Sequence, residues 1–409
     1  MTTEAGLSQL IARNLPRQIM AVIADGGGEA RLVGGVVRDV LSGSDPEAAT
    51  DFDMAVNLPP DRCKVLLETA GFRVIPTGIE HGTITVVDHK NGSIRAEVTS
   101  LRADIRTDGR HAEVVFGTDW LEDARRRDFT INTMYLSATG EVFDPFDGRA
   151  DLAAGRVRFV GEAETRITED YLRMLRFFRF HARFGGAEPN TDAMAAIRLH
   201  AEGLGRISGE RIAQEMRGIL IASRPGVIAQ LVSTGLDRMI AADGFNAAGF
   251  DRLAPFMPRL TPMHCLGFLL RGQDHAATAA RLRLSRKENT LLRLATTPPP
   301  PAPLADENWA AAAYDLTRDG GITPPLLAGL YAVAAAADGD VDAAVFDRLC
   351  HWQRPDFPVS GDDLTARGVA PGRELGRMLQ MLERHWIATG FSAGRDELMK
   401  MLDADEMNR

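Results

Sequence analysis

Strand signal in this chain is confined to its N-terminal part. Short β-rich runs at Arg31–Val33, Asp51–Val56, Thr83–Val87, Ile94–Leu101 and Val114–Phe116 are punctuated by Gly, Asn and Asp. Beyond about Gly155 they give way to Leu, Ala, Met and Arg at helical spacing, which continue to the end. That order predicts an α+β chain: a mixed α/β unit over 1–150, then all-helical architecture, with the break near 148–156. Leu7, Ile11, Leu15, Ile19 and Ile23 recur every four residues and predict one amphipathic helix ahead of the first strand. Four consecutive prolines at 298–301 can be neither helix interior nor central strand, so Thr296–Pro303 is expected to connect helices or subdomains.

Composition narrows the function classes. The 409 residues are too many for one ordinary domain, and 45% hydrophobic with 25% charged residues supplies several cores, which excludes a disordered chain. No run is long and apolar enough for a membrane span, and Met1–Ala21 lacks a basic stretch before an apolar core, so a cytoplasmic protein is expected. Cys63, Cys265 and Cys350 form no CxxC or Cys/His cluster; buried, reduced thiols are expected. A net charge of −9 argues against a protein that coats nucleic acid nonspecifically, though not against a local basic strip.

Four segments carry chemistry, and Glu97 stands apart from them as a further candidate. In Leu32-Val33-Gly34-Gly35-Val36-Val37-Arg38-Asp39 a glycine pair joins a strand to a helix-like run, a turn that can bring backbone N–H groups close to a triphosphate, with Arg38 as a clamp. A purely structural turn reads the same way. In Asp51-Phe52-Asp53 the strand period puts both carboxylates on one face, where two like charges call for a cation; a pair of Mg²⁺ ions would satisfy them. A charged strand edge is the plainer alternative. Glu97, in the alternating run Ser93–Ser100, could lie beside that strand as a third carboxylate, or pair outward with an arginine. Arg125-Arg126-Arg127-Asp128-Phe129-Thr130-Ile131-Asn132 offers forked cations suited to phosphate, or a solvated surface beside Glu122 and Asp123.

The fourth segment is Glu169-Asp170-Tyr171-Leu172-Arg173-Met174-Leu175-Arg176-Phe177-Phe178-Arg179-Phe180-His181-Ala182-Arg183. It predicts a helix capped by Thr168, with Arg173, Arg176, Arg179 and Arg183 within about a third of the circumference. No acid occurs between Tyr171 and Ala187, so the stripe points to an anionic partner such as phosphate or RNA. Asp170 and Arg173, three apart on a helix, would present an acceptor beside a donor. That pair complements the amino and ring-nitrogen edge of cytosine or adenine and not the edges of uracil or guanine; a simple i, i+3 ion pair is the alternative.

Taken in order, Gly34-Gly35-x-Val37-Arg38-Asp39, Asp51-x-Asp53, Arg126-Arg127-Asp128-Phe129-Thr130-Ile131-Asn132 and Glu169-Asp170-x-x-Arg173 resemble the class II tRNA nucleotidyltransferases, the CCA-adding enzymes, in a superfamily shared with bacterial poly(A) polymerases. The resemblance is strong over 25–220 and weaker toward the end, where Gly368-Val-Ala-Pro371-Gly372-Arg-Glu-Leu-Gly376 carries it. It implies a nucleotidyltransferase head (1–150), then a helical neck (151–220), body (221–297) and tail (304–409) that hold tRNA. It further implies that Asp51 and Asp53 bind Mg²⁺ with Glu97 as third carboxylate, and that Gly35, Arg38 and Arg126 or Arg127 contact the triphosphate. Asp170 and Arg173 would read the base, Arg176 and Arg179 would support them or the phosphates, and Arg206-Ile-Ser-Gly-Glu210-Arg211 resembles the next neck motif. The implied reaction is attack of the tRNA 3′-hydroxyl on the α-phosphate of CTP or ATP, adding C or A and releasing pyrophosphate, with no obligate protein partner.

Gly78-Ile-Glu-His81-Gly82-Thr83 and Asp108-Gly109-Arg110-His111 look like the CCA-adding branch rather than the poly(A) branch, the second being associated there with the switch from C to A. Ala112 and Thr133 depart from the usual proline and alanine. No His-Asp dipeptide occurs, so an appended HD phosphohydrolase is not expected. A poly(A) polymerase and an inactive RNA-binding module of the same fold remain the alternatives.

Overall fold

The computed structural model describes residues 3–88, 92–103, 115–222 and 224–406. The segment Asp108–His111, Ala112 and the first residue of the expected Val114–Phe116 run lie outside them.

The N-terminal stripe forms two helices, not one: α1 (Thr3–Ala12) and α2 (Asn14–Asp25). Pro16 has no N–H to donate to the Ala12 carbonyl, so the first helix stops there and the second begins with its proline in the first turn. Arg13, between them, is extended (φ −53°, ψ 136°). The apolar stripe still works as one surface, since Leu7, Leu10, Leu15, Ile19 and Ile23 all enter the same core.

Next come β1 (Ala30–Val33), α3 (Gly35–Leu41), β2 (Asp51–Val56), α4 (Pro60–Thr69), β3 (Arg73–Gly78), β4 (Thr83–Val87) and β5 (Arg95–Ser100). A two-stranded ladder joins β6 (Arg102–Ala103) to β7 (Val115–Phe116), and α5 (Trp120–Arg126) precedes β8 (Tyr135–Leu136), β9 (Val142–Phe143) and α6 (Gly148–Ala153). The main sheet runs β3-β4-β5-β2-β1-β8-β9, with β2 and β5 its one parallel pair among the described residues. On β2, Phe52 and Met54 turn to the core while Asp51 and Asp53 stay exposed, the alternation expected of a half-covered strand.

The expected single neck helix is also interrupted. Helix α7 (Ala163–Glu169) ends at Asp170, whose backbone is extended (φ −152°, ψ 107°), and α8 (Arg173–Phe184) starts after a two-residue turn. Thr168 is therefore not an N-cap; it lies inside α7 and its hydroxyl donates to the Glu164 and Thr165 carbonyls. Helices α9 (Thr191–His200) and α10 (Gly209–Ala222) follow, separated by a 3₁₀ turn at Ala201–Arg206.

The chain divides into two compact units, Met1–Glu215 with Ser233–Met239, and Met216–Val232 with Ile240–Arg409. The second is helical, with a C-terminal core of Tyr314, Leu382, Trp386 and Leu398. Its proline run connects helix Arg286–Thr296 to the short helix Ala302–Ala305, as expected. The three thiols are free; Cys63 and Cys265 are buried, which pushes both up to about 12, but Cys350 is only half-buried, against the expectation for it. No helix among the described residues is long and apolar enough to cross a membrane.

Candidate active site

The glycine pair sits where β1 turns into α3. Gly34 has φ +68°, ψ −123°, a conformation closed to residues with a Cβ, and a β-carbon there would lie 3.6 Å from Arg127 Nη1 and 3.9 Å from Asp53 Oδ2. At Gly35 a β-carbon would lie 3.7 Å from Arg38 Nη2 and 4.0 Å from Asp53 Oδ2. The turn thus brings main chain, two guanidiniums and a carboxylate around one point.

Glu97 does lie beside the first strand. Asp53 and Glu97 are Cα partners in the parallel ladder, as are Asp51 and Arg95, and all four side chains share the exposed face. Although the residue is solvent-accessible, the Asp53 carboxyl lies against the glycine turn, and partial desolvation there first, then the charge of Glu97, with Asp51 adding to it, pushes it above the ordinary carboxylate range; Arg127 and Arg38 pull the other way. Three carboxylates of like charge, all hard oxygen donors, suit a divalent cation such as Mg²⁺. No closed cage is preformed: among the described residues no three His, Cys, Asp or Glu side chains make a ready metal site, and Asp51 is paired with Arg95. A cavity of about 440 Å³ opens at this face, lined among others by Gly35, Asp39, Thr50, Asp51, Asp53 and Arg183. A larger one, about 890 Å³, lies between Glu29, Arg31, Glu141 and Arg149 and contains none of the expected site residues.

Arg38 is buried, at 5% exposure. Its Nε and Nη2 donate to Asp39 Oδ1 (2.9 and 2.7 Å), and Nη1 donates to Asn132 Oδ1 (2.5 Å). Its guanidinium lies 4.9 and 4.3 Å from the Phe180 and Phe184 ring centroids. Arg127 Nε donates to the Tyr135 hydroxyl (2.9 Å), which donates to Asp123 (2.7 Å). The basic trio is therefore not one solvated patch: Arg125 is exposed, Arg126 is half-buried at the end of α5, and Arg127 is held toward Gly34. The departure at Thr133 is accommodated, since its buried hydroxyl donates to the Thr130 carbonyl at 2.7 Å.

Helix α8 presents the expected face, with Met174, Leu175, Phe177 and Phe178 buried and Phe177 and Phe180 packed on Phe129. Its arginines, however, are already matched by acids from other elements. Arg173 pairs with Glu169, Arg176 with Asp128 and Glu215, Arg179 with Glu215 (2.7 Å), and Arg183 with Asp39 (3.0 Å). The lack of acids within the helix therefore does not by itself require an outside anion. Asp128 is buried, which alone would raise it, but Arg176 and Asn132 hold it below the usual range.

The helical i, i+3 relation between Asp170 and Arg173 is not formed, because Asp170 precedes the helix. Asp170 Oδ2 accepts from Arg211 at 2.7 Å and Oδ1 from the Leu172 N–H at 3.1 Å, while Arg173 reaches Glu169 and the Arg166 carbonyl. Residues that local reading gave no role include Asn132, Asp128 and Glu215. The first two sit in the recognised run four apart, a spacing that hinted at a pair; Glu215 lies on another helix with no local signal.

Residues 30–158 match the family model described as the poly A polymerase head domain. The chain is 40% identical over 388 residues to the mitochondrial CCA tRNA nucleotidyltransferase 1 of Danio rerio, covering 91% of this chain and 87% of that one. It is 31% identical to the CCA-adding enzyme of Latilactobacillus sakei subsp. sakei, covering 93% and 96%. Among solved structures, the Bacillus stearothermophilus CCA-adding enzyme in complex with CTP aligns at a TM-score of 0.69 with 26% identity, covering 96% of this chain and 98% of that one. The Thermotoga maritima CCA-adding enzyme complexed with tRNA-CCA shares the fold at a TM-score of 0.72 and 19% identity. Relatives above 30% identity, matched over nearly their whole lengths, place this chain in the family of CCA tRNA nucleotidyltransferases, the CCA-adding enzymes.

Proposed function

We propose that the chain adds C and A to the 3′ end of tRNA from CTP and ATP, by attack of the terminal 3′-hydroxyl on the α-phosphate and release of pyrophosphate. The observation that carries this reading is the row of Asp51, Asp53 and Glu97 on one exposed sheet face beside the Gly34-Gly35 turn. Asp51 and Asp53, with Glu97 beside them, would hold Mg²⁺, which when bound offsets their repulsion, neutralises triphosphate charge and makes the attacking hydroxyl a better nucleophile.

Gly35 and its neighbour leave the main chain open to close approach by phosphates, and Arg127, the residue after Arg126, supplies forked donors at that point. Arg38 has three of its donors committed to Asp39 and Asn132, so it chiefly fixes the turn and leaves its remaining N–H groups for phosphate. Asp170 and Arg173 would read the base. Each is held in a partly exposed ion pair worth about 1 kcal/mol or less, whereas a good bidentate base contact is worth about 1–3 kcal/mol, so a matching base can displace both partners. Arg176 and Arg179, anchored on Glu215, support the helix that carries Arg173. In this reading 1–150 performs chemistry, 151–220 selects the base, and 221–297 and 304–409 hold tRNA, in the cytoplasm.

The test is to supply Mg²⁺ and tRNAs ending before C, after C or after CC with CTP, ATP, UTP or GTP, singly and in pairs, and to read product lengths. Growth that stops at CCA is expected. Addition of A alone to the CC-ended tRNA would restrict the enzyme to the last step, long A tails would move it to the poly(A) branch, and no incorporation would leave an inactive binding module.

A further inference from the structure

Between Asp170 and Arg173 the chain makes a two-residue turn whose first residue is Tyr171. The Tyr171 ring lies flush on Gly203: a β-carbon there would fall 2.2 Å from Tyr171 Cδ1 and 2.3 Å from Cε1, closer than any side chain can come. Gly203 belongs to the 3₁₀ turn Ala201–Arg206, and the same turn ends with the Arg206 guanidinium 5.4 Å from the Tyr171 ring centroid. The His200 ring stands 6.5 Å from that of Tyr171, and its Nε2 pairs with Glu164 of α7 at 3.1 Å. The main chain around the tyrosine is tied as tightly. Arg173 N–H donates to the Asp170 carbonyl (3.0 Å) and Met174 N–H to that of Tyr171 (3.2 Å).

We infer that Tyr171 is a positioning residue for base selection: its ring, seated on Gly203, fixes where the turn places Asp170 and Arg173 relative to one another. This rests on the proposed base-reading role of those two side chains. The physical reason is leverage. Asp170 is extended and Arg173 is the first residue of a helix, so no regular element sets their separation; the turn does, and Tyr171 is its anchor. A ring lying on bare main chain tolerates little lateral play, because sliding toward either neighbour meets a Cβ. A displacement of about 1 Å at such a point is enough to degrade a two-point contact with a base.

The experiment compares kcat/KM for CTP and UTP on a tRNA lacking its C residues, for Tyr171→Ala, Gly203→Val, Gly203→Ala and Tyr171→Phe. Asp170→Ala serves as control. Tyr171→Ala and Gly203→Val should lower the CTP-to-UTP ratio by about tenfold or more, while tRNA affinity stays within about twofold. Tyr171→Phe should keep the ratio, since the contacts are those of the ring face. If Tyr171→Ala does not fold, Gly203→Ala carries the test, because it intrudes on the same ring from the other side. Equal losses for CTP and UTP, with the ratio unchanged, would mean a merely structural tyrosine and overturn the inference. Should Asp170→Ala itself leave the ratio unchanged, the base-reading role falls and the inference with it; a lowered ratio in Asp170→Ala alone would overturn only the inference.

Discussion

Asp53 and Glu97 are direct neighbours across the parallel pair of β2 and β5, with their carboxylates on the same exposed face. Antiparallel strands join by tight hairpins, but a parallel pair needs a crossover, so the residues between Val56 and Arg95, including α4, exist to bring Glu97 back beside Asp53. Neither carboxylate is stabilised by the other; in the proposed function a shared cation would stabilise both. Asp53→Asn should therefore cut single-turnover incorporation by about a thousandfold, the scale of several kcal/mol of lost charge stabilisation, while tRNA binding in a gel-shift assay changes little. Glu97→Gln should lose about tenfold to a hundredfold and require more Mg²⁺ for half-maximal rate. Full activity in Asp53→Asn would remove Asp53 from the metal site.

Arg173 is expected to govern choice more than rate. Its present partner, Glu169, is about two-fifths exposed, so Arg173→Ala should change stability by less than about 1 kcal/mol. Loss of a forked base contact should lower selection of C over U by about tenfold to a hundredfold. Misincorporation assays with single nucleotides read this directly. A uniform fall for all four nucleotides would assign Arg173 to the triphosphate instead.

Arg13, in the break between α1 and α2, is tied to the segment that delivers Asp51. Its Nη1 donates to the Glu47 carbonyl (3.0 Å) and carboxylate, and its Nη2 donates to the Ala49 carbonyl (3.1 Å). Ala48, Ala49 and Thr50 of that segment line the cavity beside Asp51 and Asp53. Arg13→Ala should cost about 1–2 kcal/mol of stability and lower the rate by about tenfold without changing base choice. Arg13→Lys should recover little, because an ammonium cannot bridge two carbonyls as the planar fork does. Thermal melts and single-turnover rates on the three proteins decide it.

The elements legible in the sequence were those with a period long enough to count. Strands β1, β2, β4 and β5, the Gly-Gly turn and the apolar face of α8 all follow from alternation or helical spacing. Strand β3 did not, because Pro76 and its mostly exposed side chains mask it; a proline is tolerated there because β3 is a sheet edge. Strands β8 and β9 have two residues each and no period to detect. Pro16 and Asp170 interrupt helices that the apolar pattern carries straight through, since burial is decided by the stripe and continuity by main-chain hydrogen bonds. The acids that match Arg176, Arg179 and Arg183 are Asp39, Asp128 and Glu215, on other elements, so charge balance within the helix could not reveal them.

His264 sets an acid limit on the second unit. It is 1% exposed, its Nδ1 accepts from the Thr261 N–H at 3.1 Å in a capping box, and a β-carbon on Gly329 would lie 2.4 Å from its Cε1. Burial lowers it to about 4, against an ordinary 6.5. The folded form therefore holds the ring neutral, while the unfolded chain takes up a proton on acidification from about pH 6.5. Between those two values the unfolded state binds more protons, so stability falls as pH falls, by up to roughly 3 kcal/mol at pH 4, and is unaffected above about pH 7. His264→Gln keeps an acceptor for the Thr261 N–H and has no proton to gain. Its thermal midpoint should lie below that of the wild type at pH 7, from imperfect packing against Gly329, and the gap should narrow steadily toward pH 4. A gap that stays constant over that interval would show that His264 is not the group whose protonation drives the acid loss.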